Sequence, residues 1–116
     1  MNSIAEWVGA STIVVSVSIC PQALSAEAFS GDEFLSWATE AQNNYIGTAV
    51  TMASFVATRT NQKTADCLNQ WYAASELIAE QRNREIRDTI SRNSQHHPSA
   101  VILLVLEKAC GSFKTP

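Results

Sequence analysis

The sequence predicts an all-α domain, a compact bundle of about five short helices stapled by one disulfide between Cys67 and Cys110. Three observations carry that expectation. Apolar residues recur at helical spacing through most of the chain, and no stretch sustains the alternation of a half-buried strand. A length of 116 residues, 46% of them hydrophobic, with only four Gly and three Pro, suits one folded domain and excludes disorder and collagen-like repeats. Of three cysteines, Cys20 falls in a segment that reads as an address, which leaves two to pair.

That segment comes first. Residues Trp7 to Ile19, WVGASTIVVSVSI, carry no charge. The run has the length of a signal-peptide apolar region and is shorter than the roughly 20 apolar residues a membrane span needs. Pro21 and Ala23-Leu24-Ser25-Ala26 follow. The expected organisation is therefore a secretion signal over 1–26, cleaved after Ser25 or Ala26, and a single helical domain over 27–116 in the periplasm. The opening MNSIAE holds Glu6 and no Lys or Arg, unlike most export signals, and a buried strand rich in Val and Ile is the other reading. Ile19 and Pro21 on either side of Cys20 do not fit a lipid-attachment site. Once the segment is removed, Cys67 and Cys110 remain, and an even pair in an oxidising compartment reads as a disulfide. Closing a loop of this span stabilises by roughly 3 to 4 kcal/mol on the chain-entropy model. In a reducing compartment the same two residues would be buried thiols.

The first helix is expected from Gly31 to about Gln42. Ser30 and Glu33 form a capping box, with Phe29 and Phe34 as its hydrophobic staple, and Phe34, Leu35, Trp37, Ala38 and Ala41 lie on one face. A second, mostly buried helix is expected from about Asn44 to Thr58, with Tyr45, Ala49, Met52 and Val56 on one stripe and Ile46, Val50, Ala53 and Ala57 beside it. A strand fails there because alternation breaks at Ala49-Val50 and at Phe55-Val56-Ala57. Arg59-Thr60-Asn61-Gln62-Lys63 reads as a loop. Thr64 is the expected cap of the third helix, with Asp66 in its first turn and Leu68, Trp71, Tyr72, Leu77 and Ile78 as its apolar side. The pattern turns polar at Gln81-Arg82-Asn83, which predicts a break and a fourth helix from about Asn83 to Arg92, or else one long continuous helix. Glu80, Arg84, Asp88 and Arg92 recur every fourth residue and read as a solvated row of ion pairs. Pro98 suits the first position of the last helix. Its run AVILLVL is apolar all round, which places it centrally, and Gly111 suits a left-handed end.

The sequence offers little catalytic chemistry. A net charge of −3 and a pI near 5.2 exclude the basic footprint that nucleic acid requires. His96 and His97 are the only histidines, adjacent and without other ligands at zinc spacing, so no metal or cofactor is expected. No nucleophile elbow and no phosphate-cradling glycine run is present, and a paired cysteine is no nucleophile. Trp37, Phe55, Trp71 and Tyr72 at helical spacing read as core. Recognition is left to two polar segments, Arg59 to Lys63 and the loop Arg92-Asn93-Ser94-Gln95-His96-His97.

The order of these features resembles the Rap/Tai group of small periplasmic immunity proteins, which neutralise peptidoglycan amidases delivered by type VI secretion. The matching positions are Ser30-Gly31 with Phe34-Leu35, Tyr45-Ile46, Cys67-Leu68, Ile86 and Ile90, and His97-Pro98 with Ala100-Val101 leading to Ala109-Cys110. The chain departs from that pattern in having Trp37 and Ala38 where the family commonly places a cysteine. The resemblance implies a helical domain, often a homodimer, that does no chemistry itself and blocks an effector amidase by placing a protruding loop in its cleft. That loop would be Asn93, Ser94, Gln95, His96 and His97. A different class, the periplasmic acid-stress chaperones of the HdeA type, shares the small helical domain with one disulfide and is the alternative. Neither reading has the protein bind a membrane after the signal is removed.

Overall fold

The computed structural model describes residues 29–116. The expected signal over 1–26, its cleavage point and Cys20 lie outside the described residues. Within them the fold is all-α: α1 (Gly31–Leu35), α2 (Thr39–Thr60), α3 (Gln62–Ala73), α4 (Glu76–Ser91) and α5 (Pro98–Cys110). One disulfide joins Cys67 to Cys110 across 5.6 Å between their Cα atoms. It links the second turn of α3 to the last turn of α5.

The expected first helix is split. Ser30 Oγ caps α1 by accepting the Glu33 amide at 3.5 Å, yet α1 ends after five residues. The Ser36 hydroxyl donates to the Glu33 carbonyl at 2.6 Å, and the Trp37 amide closes on Phe34 rather than continuing the α-pattern. The carbonyls of Leu35 and Trp37 left open by the break both accept from the buried Gln42 side-chain amide, at 3.2 and 2.9 Å. Trp37 then stacks on Phe29 with ring centres 5.3 Å apart, and Phe34 is buried against Trp37 and Tyr45. A local serine bond and one glutamine thus outweigh an unbroken apolar spacing.

α2 absorbs the tail of that expected helix and Arg59 and Thr60 of the expected loop at 59–63, and α3 takes Gln62 and Lys63. Only Asn61 separates it from α3. The Asn61 amide ends α2 on the Ala57 carbonyl at 2.7 Å, and its side-chain oxygen caps α3 by accepting from the Thr64 amide. Thr64, the expected cap, instead lies buried in the first turn of α3 and donates its hydroxyl to the Ser112 carbonyl at 2.8 Å. Of the two stripes on α2, the one holding Ile46, Val50 and Ala57 enters the core. Met52, Phe55 and Val56 face solvent, so α2 is half-buried rather than mostly buried and Phe55 is not core. The cause is topological: α3, α4 and α5 all pack against it, yet none of them covers Met52, Phe55 or Val56.

The break after α3 falls earlier than the polar pattern suggests. Ser75 Oγ caps α4 by accepting the Ile78 amide at 3.1 Å, and Leu77 is exposed. Gln81-Arg82-Asn83 stays helical because its polar groups are tertiary contacts. The Arg82 guanidinium lies 4.7 Å from the centre of the Trp71 ring and its Nε donates to the Trp71 carbonyl at 2.9 Å. The Tyr72 hydroxyl donates to the buried Asn83 at 2.7 Å. Glu80 pairs with Arg84 and Asp88 with Arg92 at 3.8 and 3.2 Å, a solvated row in which exposed pairs contribute a few tenths of a kcal/mol.

α5 is not the all-round buried centre its composition suggests. Val101, Ile102 and Leu106 join Phe34, Ile46, Val50, Leu68, Ile86 and Ile90 in the core, while Leu103 and Leu104 are 44% and 65% exposed. Gly111 ends the helix with φ at 96°, a conformation that suits a residue without Cβ.

Replacing both bridging cysteines by alanine lowers the free energy of unfolding by about 3 to 4 kcal/mol, measured by urea titration with the helical spectrum as readout. A second outcome concerns pH. Burial raises the Tyr72 hydroxyl above its ordinary ionisation range, so the unfolded chain loses that proton first. The contribution of Tyr72 to stability is level up to about pH 10 and falls above it. Tyr72→Phe removes that alkaline component at a constant cost of about 1 to 3 kcal/mol, because Asn83 loses its donor. Urea midpoints across the alkaline range read both.

Candidate functional site

The turn between α4 and α5 gathers the five sequence-predicted residues Asn93, Ser94, Gln95, His96 and His97 into one short connection. It begins as a continuation of α4: the Asn93 amide closes on Ile90 at 3.0 Å and its side-chain amide donates to the Thr89 carbonyl at 2.8 Å. The His96 amide then returns to the Asn93 carbonyl at 3.1 Å. Two further carbonyls point the other way. Ser94 accepts from the Asp32 amide at 3.0 Å and His96 from the Gly31 amide at 2.9 Å. Gly31 and Asp32 open α1, where helical amides have no partner of their own, so the loop backbone serves as their cap.

Close approach makes this possible. A Cβ on Gly31 would stand 3.0 Å from the Ser94 Cα and 2.9 Å from the Ile90 side chain. Glycine is required here for space rather than for backbone freedom.

His97 closes the loop as the cap of α5. Its Nδ1 accepts the Ser99 amide at 3.1 Å, which places the ring proton of the neutral imidazole on Nε2. The ring meets Phe29 edge-on at 5.1 Å, and Ser99 shares a 2.5 Å hydrogen bond with Tyr45. Backbone and His97 are thus committed to the fold. Asn93, Gln95, His96 and His97 are exposed and Ser94 is half-buried.

The loop leads into a furrow that sequence reasoning missed. Thr89, Asn93, His96, Ala100 and Leu104 line a depression of about 170 Å³ between α4 and α5. Past Thr89 and Leu104 it opens into a groove of about 460 Å³ walled by Trp71, Glu85, Arg92 and Lys108. Leu104 stands in the middle, and Arg82 holds Glu85 at 2.7 Å at one edge. The signal for it was the unbroken AVILLVL run, whose excess of leucine exceeds what a small core can bury.

No family model, curated protein or solved structure matches this chain. Among the described residues no cluster of three or more His, Cys, Asp or Glu could hold a metal, and no helix is long and apolar enough to cross a membrane. The second expected recognition segment, Arg59 to Lys63, is a helix junction rather than a loop. What the site presents is an imidazole and two side-chain amides on a held backbone beside a furrow with an apolar ridge and walls of mixed charge, Glu85 with Arg92 and Lys108.

Gly31→Ala tests the coupling of loop and helix. Overpacking at this contact lowers stability by about 1 to 3 kcal/mol, read as a drop in Tm by circular dichroism.

Proposed function

We propose that this chain is an exported, non-catalytic inhibitor of the immunity type, which protects its host by lodging the loop Asn93 to His97 in the cleft of a peptidoglycan amidase. One arrangement supports the reading: a loop with exposed side chains whose backbone is held at Ser94 and His96 by the Asp32 and Gly31 amides and at its end by the His97 cap. A held loop binds without a large ordering cost, which is what a cleft-blocking segment needs. The neighbouring furrow with Leu104 supplies apolar area for the rim of the enzyme, and the disulfide suits an oxidising compartment. The order of features shared with the Rap/Tai group points to the same class of target.

The test is export of this chain together with each of a panel of secreted peptidoglycan amidases, including any encoded beside its gene. The reading expects cells to survive one of them, and expects that amidase to be inhibited at least about tenfold less well by a Gln95→Ala/His96→Ala variant, as for a central interface anchor. Equal lysis with and without the chain across the panel overturns it. The chaperone alternative predicts a different result, protection of acid-unfolded client proteins with no effect on any amidase.

A further inference from the structure

A crevice between α2 and α3 lies apart from the loop and its furrow. Asn44, Gly47, Thr48, Thr51, Phe55 and Tyr72 border a cavity of about 470 Å³, within the size range of small-molecule sites. Thr51, Phe55 and Tyr72 also border a second hollow of about 170 Å³, where the Ser54 hydroxyl donates to the Asn69 side chain at 3.1 Å. None of the residues lining either part carries a charge, and the 18 residues Ala41 to Thr58 contain no Asp, Glu, Lys or Arg.

The larger part offers polar groups that the fold does not use. Asn44, Thr48 and Thr51 follow one another at helical spacing on one stripe of α2. All three are exposed, and none of their side chains forms a hydrogen bond among the described residues. The Tyr72 hydroxyl gives its proton to Asn83 at 2.7 Å, so toward the crevice it can only accept. Phe55, 64% exposed, adds an aromatic surface between the two hollows.

Gly47 is an independent sign that this space is kept open. It lies inside a helix of 22 residues, where glycine is less stable than alanine. The fold does not demand it: its φ is not positive, and a Cβ there would meet only the Tyr72 hydroxyl at 3.5 Å, an ordinary contact. What the missing side chain leaves is a free approach to that hydroxyl.

We infer that this crevice binds an uncharged saccharide. A charged ligand would lose water and find no counter-charge, and a purely apolar one would strip water from Asn44, Thr48 and Thr51 without replacing their hydrogen bonds. A sugar ring meets both conditions. Its C–H faces are apolar and lie against Phe55, while its hydroxyls donate and accept, pairing with the Asn44 amide and the two threonines. A further hydroxyl donates to Tyr72 through the gap at Gly47. The inference is independent of the inhibitor reading, which uses α4, α5 and their loop.

The test is titration of the purified, oxidised, isotope-labelled protein with tri-N-acetylchitotriose, maltotriose and trigalacturonate, followed by amide chemical shifts. At least one of the two neutral sugars is expected to bind saturably, with shifts centred on Asn44, Gly47, Thr48, Thr51 and Tyr72, and the acidic sugar is not. Phe55→Ala weakens binding about tenfold or more, as for loss of an aromatic anchor. Gly47→Ala weakens it to a similar degree while raising Tm, because alanine is the better helix former. Binding lost in a stabilised protein cannot be blamed on misfolding. No saturable shift at these residues with either neutral sugar, equal binding of trigalacturonate, or binding indifferent to either substitution overturns the proposal.

Discussion

The bond between Cys67 and Cys110 is the constraint on which the packing of the other helices depends. Nine side chains form the core, a small store of buried apolar area for a domain of this size. The bond fixes the end of α5 beside α3, and the C-terminal segment is thereby delivered to the α2–α3 corner. Two residues after Cys110, the Ser112 carbonyl accepts from both Thr64 and the Asn61 side chain, and the Lys114 carbonyl accepts from Asn61 as well. Asn61 is the single residue between α2 and α3, so the covalent link, the chain end and the tightest corner of the fold hold one another in place.

The sequence was a good guide to helices and a poor one to their ends. Capping by Ser30, the proline start and glycine finish of α5, and the solvated charge row on α4 were all legible because each is a local device with fixed spacing. The break within the first expected helix, the sharpness of the one at Asn61 and the place of the one after α3 were not, for physical reasons visible at particular residues. Ser36 and Gln42 end α1 through hydrogen bonds that apolar periodicity does not record. Asn61 ends one helix and begins the next, so no run of polar residues is needed there. Arg82 and Asn83 look like a polar interruption but are tertiary partners of Trp71 and Tyr72. Burial was overestimated for the same kind of reason: an apolar stripe on α2 or α5 says that a face avoids water, not whether this chain alone covers it.

For the candidate site, the loop residues were legible as uncommitted polar positions ahead of a proline-started helix. The structure adds that they stand together on a backbone used for another purpose. The furrow between α4 and α5 was hidden because it needs Trp71 from α3, Arg92 from the end of α4 and Lys108 from α5, three positions that only the tertiary fold assembles. α1, only five residues long, contributes little burial of its own beyond Phe34, and its place is to receive the loop carbonyls.

That division of labour separates shape from identity in the loop. Its contour is dictated by the Ser94 and His96 carbonyls and by the absence of a side chain at Gly31, none of which depends on what Gln95 or His96 carries outward. Neither of those two side chains forms a hydrogen bond among the described residues. Substitutions at Gln95 and His96 therefore change the chemistry that the loop turns outward while thermal stability stays level, so these two positions can diversify without re-engineering the scaffold.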